Sequence, residues 1–477
     1  MKKSSVLFVI LSIVGQSWAY DFSSNGVFYN IISGVSPYKA EVTVGLGSSN
    51  NYSGNVVVPS SVTHNSINYT VTAIGTYAFN SCPDLISVTL PNTVTSIKSW
   101  AFMSCYNLAN LTIPASVDTI GDGVFWGCQS FTSVNIPASV RKIGYYQFMG
   151  CKNLTQFTVD AANPYFSSVN GVLHNKRQTI LVAYPPGKTE NTYTVISTVD
   201  TIANSSFGNC DYLTSMTIPS TVLYVEGHTF IMCNNLSTVY FPASVAYFNN
   251  NPFYDCKSMT AVNIDPANPV IESVDGIVFK KGLETIIYYP PSKAGSSYTI
   301  PSTVKYVRSS TFMNCLNLNT ISIPASVQTI RSGMLEGCAN LTTINAYNPT
   351  PVDLTATTGD ESKGVFKGVD TLHCVLHVPV GSRSLYANAF QWKGFTNIVE
   401  GFSSEIPSEN TSPIKIIRQN GQLIVSGFTN ETLVTVYNLQ GTAFYQQRVH
   451  EASCVIDLPM HGIYILKAID KCVKLVY

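Results

Sequence analysis

Residues 105–128 read CYNLANLTIPASVDTIGDGVFWGC, and this stretch decides the fold. Its two cysteines are 23 residues apart, and the same spacing recurs along the chain, interrupted by two gaps of 59 residues. Nine of the twelve cysteines follow this pattern: Cys82, Cys105, Cys128, Cys151, Cys210, Cys233, Cys256, Cys315 and Cys338. A fixed period of this length is typical of a solenoid, whose stacked units share a core that none could bury alone.

Within this unit, apolar side chains alternate at Leu111 and Ile113, which predicts a short strand that ends at Pro114. A second extended segment is predicted from Val117 to Ile120. The same skeleton recurs as LPNTV at 90–94, IPASV at 113–117, 136–140 and 323–327, IPSTV at 218–222 and 300–304, and FPASV at 241–245. Because most coils also close with Phe and Cys, the sequence predicts a mainly β solenoid of 23-residue coils.

The evenly spaced cysteines have two interpretations. Export to an oxidising compartment favours disulfides. Cysteines one coil apart, however, would point their Cβ atoms in parallel directions, which suits a disulfide poorly. We therefore predict a ladder of buried, reduced thiols that act as small apolar side chains.

Each 59-residue gap contains one ordinary coil and a 36-residue insert. Asn170-Gly171 and Asp275-Gly276 lie between apolar runs, which is a strong β-hairpin signal. Each hairpin is followed by a Pro-Pro stop, in YPPGK at 184–188 and YPPSK at 289–293. The inserts are interpreted as structural elaborations of the stack, with a ligand-contacting ridge as the alternative.

The repeat pattern L-x-x-I-x-I-P-x-S-V-x-x-I-x-x-x-x-F-x-x-C resembles the BspA-like leucine-rich repeats of bacterial surface proteins, over residues 59–346. Residues 20–58, with Gly26-Val27-Phe28-Tyr29, resemble the N-terminal cap of that family. Residues 347–400, with Tyr386 and Trp392, resemble its closing cap. Such caps cover the otherwise exposed end coils of a solenoid.

The two ends of the chain suggest export. Lys2 and Lys3 precede an apolar run and Ser17-Trp18-Ala19, which predicts a signal peptide over residues 1–19. After a polar linker at 401–413, residues 414–477 show alternating strands and the sequence GIYILK at 462–467. They resemble the sorting domain of the type IX secretion system, which implies contact with secretion machinery; the alternative is a small β-sandwich accessory domain. No stretch after the signal peptide is long enough for a transmembrane span.

One outward position per coil forms a predicted surface that we call the polar ladder. Thr112 must point away from the core because it lies between two inward apolar residues. Stacking aligns it with its counterparts: Thr89, Asn135, Thr158, Thr217, Tyr240, Asn263, Ser322 and Asn345. Threonine is a good strand former and polar ladders satisfy one another across coils, but a binder of sugars or extended peptides would use the same surface.

A second surface is the tyrosine ridge, which consists of Tyr224, Tyr247 and Tyr306 just before the second apolar position of their coils. Tyr288 and Tyr289 lie in the neighbouring insert. Tyrosine offers a large amphipathic contact area, so the ridge is a candidate binding surface, although chance exposure is the simpler interpretation.

The sequence indicates a binding protein rather than an enzyme. It contains no catalytic motif, and His373, Cys374 and His377 would not converge on one face of a strand, so neither a metal site nor a cofactor is predicted. Charged residues make up 11% of the chain, with 27 of each sign, which argues against a nucleic-acid partner.

Resemblance to the BspA-like family implies adhesion at the cell surface or in the medium, with an extracellular protein or glycan as partner. A self-associating envelope scaffold is the alternative.

Overall fold

The computed structural model describes residues 20–45, 52–109, 111–248, 251–355 and 364–402, and seven strands between residues 415 and 476. The chain divides into two compact units, residues 1–402 and 403–477. The predicted signal peptide and most of the predicted linker lie outside the described residues. The first unit is a β-solenoid of about 14 turns, which confirms the predicted fold class.

The solenoid begins with an antiparallel cap that leads into the first parallel coil. Its strands are β1 Phe22–Ser24, β2 Val27–Ser33, β3 Lys39–Thr43, β4 Gly54–Val57, β5 Ser61–His64 and β6 Ile67–Ile74. Strands β1, β2 and β3 pair side by side, and β3 pairs in parallel with β6. Tyr29, Val42 and Val71 are fully buried, so the cap covers the open end of the apolar stack.

The first ordinary coils build two sides of the solenoid: longer strands form a long-strand side, and two-residue strands form a short-strand side. These strands are β7 Leu85–Thr89, β8 Ser96–Ile97, β9 Thr119–Ile120, β10 Ser133–Ile136, β11 Lys142–Ile143 and β12 Gln156–Val159. Register follows the repeat, since Ser96 pairs with Thr119 and Thr119 with Lys142. The strand predicted at Leu111–Ile113 is wrong: the described residues 111–114 belong to no strand, although Ala109 N still donates to Ile86 O at 3.3 Å.

The first insert is a complete long coil of the stack rather than an appended hairpin. It contains β13 Phe166–Val169, β14 Val172–Asn175 and β15 Ile180–Ala183. The predicted hairpin joins β13 to β14, and Gly171, with φ +79°, occupies the turn conformation that favours glycine. Strand β15 then pairs in parallel with the next coil, Ile180 with Thr201, so it continues the short-strand side.

The middle coils repeat the ordinary pattern, and a second long coil follows them. The middle strands are β16 Thr192–Thr194, β17 Thr201–Ile202, β18 Ser215–Thr217, β19 Tyr224–Val225, β20 Thr238–Phe241, β21 Tyr247–Phe248 and β22 Ala261–Ile264. The second long coil contains β23 Ile271–Val274, β24 Ile277–Lys280 and β25 Thr285–Tyr288. Each hairpin turn accepts a hydrogen bond from the preceding long strand: Phe157 N donates to Gly171 O, and Val262 N donates to Gly276 O. The long-strand side is therefore divided into separate sheets.

The last coils end in a cap with two short helices. Their strands are β26 Ser297–Thr299, β27 Tyr306–Val307, β28 Thr320–Ile323, β29 Thr329–Ile330, β30 Thr343–Ala346, β31 Val375–Pro379 and β32 Asn397–Phe402. Between the last two lie the α-helix α1, Arg383–Asn388, and a 3₁₀ helix, Trp392–Gly394. Trp392 is buried and donates its indole N–H to Val352 O at 3.0 Å, which fixes the cap against the preceding loop.

The second unit consists of two antiparallel sheets. Its strands are β33 Lys415–Gln419, β34 Gln422–Ser426, β35 Thr432–Tyr437, β36 Ala443–Val449, β37 Ser453–Asp457, β38 Ile463–Ala468 and β39 Lys471–Val476. The strand orders are β33-β34-β37 and β36-β35-β38-β39. Val425, Val434 and Ile456 are fully buried, as a small β-sandwich requires.

The core of the solenoid is a column of aromatic rings beside a column of thiols. Phe79, Phe102 and Phe125 stack with ring centroids 5.0 and 6.2 Å apart. Every thiol after the first in a run donates to the Phe carbonyl one coil back, as Cys105 Sγ does to Phe79 O at 3.1 Å and Cys233 Sγ to Phe207 O at 2.8 Å. All nine repeat cysteines are buried and unbridged. The thiols therefore add a weak hydrogen bond between coils as well as apolar packing.

Burial also keeps thiols of the ladder protonated, as at Cys82 and Cys151. It raises the pKa of both to about 12, which leaves almost no thiolate at physiological pH. The reactivity of these two thiols is thus suppressed by the same burial that makes them part of the core.

Candidate functional site

The structure divides the predicted tyrosine ridge into a pair and a separate residue. Tyr224 and Tyr247 are register partners on β19 and β21, each 47% exposed, with ring centroids 6.2 Å apart. Tyr306 is 42% exposed but pairs with Thr285 and Thr329 in another sheet. The second long coil separates Tyr306 from the pair, because its strand β25 lies between β21 and β27 on the short-strand side.

The tyrosines of the second insert are in the core, not on the ridge. Tyr289 occupies the position that Phe holds in ordinary coils, and its ring lies 5.1 Å from that of Phe312. Tyr288 packs at the same distance from Phe253. Both are almost fully buried. Their aromatic character therefore reflects the need to continue the apolar stack through the long coil.

The polar ladder is mostly exposed, except for the buried Ser322, and is partly occupied by its own hydrogen bonds. Thr158 Oγ1 donates to Asn135 Oδ1 at 2.9 Å, and Tyr240 donates its hydroxyl to Asp265 at 2.8 Å, which raises the pKa of that tyrosine. Thr217, Tyr240 and Asn263 are aligned on β18, β20 and β22. Thr112 is exposed outside any strand. The continuous surface is thus the three-residue row centred on Tyr240.

The histidines near the closing cap do not form a site with their cysteine. His373 is exposed and its Nδ1 lies 2.7 Å from Asp370 Oδ2, whereas Cys374 is buried. Within the described ranges, no group of three metal-ligating side chains is found.

A third side of the coils, between the short strand and the Phe position, carries a feature that the sequence did not predict. Trp100 and Tyr146 hold the same repeat position two coils apart, with Gly123 between them. A Cβ atom on Gly123 would lie 1.9 Å from the Trp100 ring, so this glycine allows the indole to lie over the backbone. The rings of Trp100, Trp126 and Tyr146 lie 5.6 to 6.4 Å apart; we call them the aromatic shelf.

Next to this shelf, the first long coil opens a cleft of about 210 Å³. In an ordinary coil four residues separate the short strand from the Phe position, as between Ile202 and Phe207. In the long coil no residue separates the strand from the Phe position, because β15 ends at Ala183 and Tyr184 follows it directly. The Tyr184 ring stacks on the Phe207 ring, with centroids 5.3 Å apart. The turns on either side of the long coil therefore meet each other, and Tyr146 N donates to Ser205 Oγ at 2.9 Å.

Four buried polar atoms on residues that line this cleft have no hydrogen-bond partner. They are Gln147 Oε1, Tyr184 Oη, Asn204 Oδ1 and Ser206 Oγ, and residues Gln147 and Ser206 are only 5% and 3% exposed. Gln147 is held by its amide N–H, which donates to Gly121 O. Polar groups this deeply buried are normally bonded, so an unpaired set facing one cleft requires an explanation.

The cleft is also negatively charged at one edge. Glu226 is the one charged side chain among the described lining residues, and its Oε2 accepts a hydrogen bond from Asn204 N at 2.8 Å. That carboxylate raises the pKa of Tyr145, which is half exposed at the rim. The cleft thus combines a carboxylate, an amide set and aromatic rings.

The sequence contained a signal for this site. The residue before Phe is buried in every coil and is usually apolar or small, as at Ala78, Ala101 and Val124. Gln147 breaks that pattern. Comparison of the repeats at this position would have identified it without any structure.

Stacked short coils with alternating apolar positions define a leucine-rich-repeat protein. The family model for the BspA type leucine rich repeat region matches six copies, over residues 58–169, 188–290 and 286–357. The chain therefore belongs to the BspA-type leucine-rich repeat family, which supports a protein-binding role and gives no indication of catalysis.

Several solved structures are similar to this chain. A leucine-rich repeat protein from Eubacterium ventriosum is 22% identical, with 70% of this chain and 90% of that chain covered and a TM-score of 0.45. A leucine rich cell surface protein from Faecalibacterium prausnitzii is 21% identical, with 80% and 95% covered and a TM-score of 0.41. A leucine-rich repeat protein from Bacteroides ovatus is 18% identical, with 80% and 100% covered and a TM-score of 0.34.

No curated protein matches the chain. In the part of the chain that the structure describes, no helix has the length and apolar character needed to span a bilayer.

Proposed function

We propose that this chain is an exported adhesion or recognition protein that binds an extracellular protein or glycan at the cell surface or in the medium. Family membership supports the binding role. The observation that carries the proposal is the exposed pair Tyr224 and Tyr247, next to Leu223, which is 40% exposed. Exposed aromatic side chains that are held rigidly by strands are typical of binding hot spots.

Export and sorting are part of this proposal. The signal peptide at 1–19 and the sorting-like unit at 414–477 would bring the chain through secretion machinery to the outer surface. Mass spectrometry of the protein recovered from its native cells and medium tests this step. Termini near Tyr20 and within residues 401–413 are expected; an intact N-terminus would contradict export.

Binding is tested with the double variant Tyr224→Ala, Tyr247→Ala. Its affinity for a panel of immobilised matrix proteins and mucins is measured by surface plasmon resonance. The loss of two hot-spot tyrosines should weaken the responding interaction by about tenfold or more. Tyr306→Ala is the matched control, because it removes an equally exposed tyrosine from the same repeat position in a separate sheet. Equal affinity of the wild type and the double variant would overturn the assignment of this surface.

A self-associating scaffold is the second candidate, because the same tyrosine pair could face another copy of the chain. Sedimentation of the purified chain over a range of concentrations distinguishes self-association from binding of an external partner. Oligomers that form without any ligand, and that the double variant abolishes, would favour the scaffold.

A further inference from the structure

The cleft beside the first long coil has room for an occupant larger than a water molecule. One water needs roughly 10–15 Å³ of such space, far less than the 210 Å³ available. Leaving a buried polar group without a partner carries a free-energy cost, and four such groups belong to residues that line this one space. A ligand that bonded to the amide and hydroxyl groups among them would reduce that cost, so the cleft has the character of a preformed site.

The two walls of the cleft differ in chemistry. Rings of Tyr146, Phe148 and Tyr184 contribute apolar and aromatic surface, while Gln147, Asn204 and Ser206 contribute amide and hydroxyl groups. A ligand that matches both walls must present C–H groups on one face and several hydroxyl groups around its edge. A saccharide ring has this combination, whereas amino-acid side chains other than arginine offer at most two polar atoms.

The charge of the cleft further restricts the class of ligand that it can bind. No Lys, Arg or His occurs among the described lining residues, and Glu226 provides a carboxylate. An anionic ligand would be repelled, while a neutral polyol can donate hydrogen bonds to the carboxylate. We propose that this cleft binds one ring of a neutral saccharide, with Ser206, Asn204, Gln147 and Glu226 contacting its hydroxyl groups.

The aromatic shelf gives the site room for a longer chain. Tyr146 belongs both to the cleft and to the shelf, and Trp126 and Trp100 follow it without a break. Sugar units next to the buried ring would lie against these indoles, whose faces favour C–H groups. Binding rather than hydrolysis is expected, because glycosidases generally use two carboxyl groups and the lining residues include one.

The saccharide site is separate from the tyrosine pair and does not depend on it. The full chain is titrated with methyl glycosides of glucose, galactose, mannose and N-acetylglucosamine, and with the methyl glycoside of glucuronic acid and glycerol as controls. Saturation-transfer NMR detects binding, and tryptophan fluorescence reports on the shelf. We expect at least one neutral glycoside to bind, with the glucuronide and glycerol weaker.

Ser206→Ala tests the assignment, because it removes one hydrogen bond with little change in volume. Affinity should fall by about tenfold while the melting temperature stays constant or rises. Thr311→Val, at the same repeat position beside the second long coil, should leave affinity unchanged. The proposal is overturned if no neutral glycoside binds, if Ser206→Ala binds as well as the wild type, or if the glucuronide or glycerol binds as tightly as the neutral glycosides.

Discussion

The two long coils have the same backbone plan but place different side chains beside it. In both, an antiparallel hairpin leads into a third strand that rejoins the short-strand side, Ile180 with Thr201 and Thr285 with Tyr306. In both, a tyrosine then takes the Phe position. The inserts are therefore equivalent as architecture, and any difference in function must come from the turns that flank them.

Those turns differ in whether their polar groups are satisfied. Beside the second long coil, Thr311 Oγ1 donates to Arg308 O at 2.7 Å, and Asn314 Nδ2 donates to Asp255 Oδ1 at 2.5 Å. Beside the first, Ser206 replaces that threonine and has no partner for its hydroxyl. Repetition thus explains the shared fold, and the departures from repetition indicate where a ligand is expected.

The largest loss of stability should come from removing the buried tyrosine of either long coil. Tyr184→Ala and Tyr289→Ala each remove a buried ring from the aromatic column, so each should cost about 3–5 kcal/mol of unfolding free energy. Denaturant unfolding of the two variants measures this. Tyr184→Phe is the control, because it keeps the ring and removes a buried hydroxyl without a partner. A cost below about 1 kcal/mol for either alanine variant would show that the two coils are not equivalent.

A smaller change in stability should distinguish the turn beside the first long coil from the turn beside the second. Thr311→Val breaks the bond to Arg308 O and should cost about 1 kcal/mol. Ser206→Ala, at the same repeat position, breaks no bond in the protein and should be neutral or stabilising in the absence of ligand. Unfolding free energies without saccharide compare them. Equal destabilisation by both changes would mean that Ser206 has a structural role after all.

Most of the fold followed from the sequence because the repeat itself carries it. The cysteine spacing, the IPASV motif and the Asn-Gly turn predicted the solenoid and its hairpins, since each reports a local and repeated requirement of the backbone. The strand at Leu111–Ile113 was wrong although the same pattern forms a strand at Ser133–Ile136, so apolar alternation alone does not decide strand pairing. Tyr289 was misplaced because its counterpart, Tyr184, lies in the other insert, and neither was aligned with the Phe position of the ordinary coils.

The candidate surfaces were less predictable than the fold. The outward positions Tyr224 and Tyr247 followed from the period of two along a strand. Their separation from Tyr306 depends on where the long coil rejoins the stack, which no local pattern encodes. The cleft arises from residues 59 apart, such as Tyr146 and Ser205, brought together because the long coil omits its turn. Only an alignment of the repeats against one another could have pointed to it.

The smallest effects should have opposite signs at the two long coils when the pH changes. Burial lowers the pKa of His228, whose Nδ1 lies 2.8 Å from the Tyr146 hydroxyl, below its usual value of 6.5. Burial raises the pKa of Asp255 above 3.8, although Lys257 Nζ lies 3.8 Å from its carboxylate. Below about pH 6.5 the unfolded chain protonates His228 before the folded chain does, so acid reduces the stability that this residue contributes. Asp255 takes up its proton first in the folded chain, so acid increases its contribution.

The contributions of His228 and Asp255 are distinguished by the unfolding free energies of the wild type, His228→Gln and Asp255→Asn, measured from neutral pH down to about pH 4. His228→Gln should lose stability less steeply than the wild type as the pH falls, because it removes a group that protonates preferentially in the unfolded chain. Asp255→Asn should lose stability more steeply, because it removes a proton uptake that favours the folded chain. Parallel curves for all three proteins would mean that both side chains are solvated well enough to titrate normally.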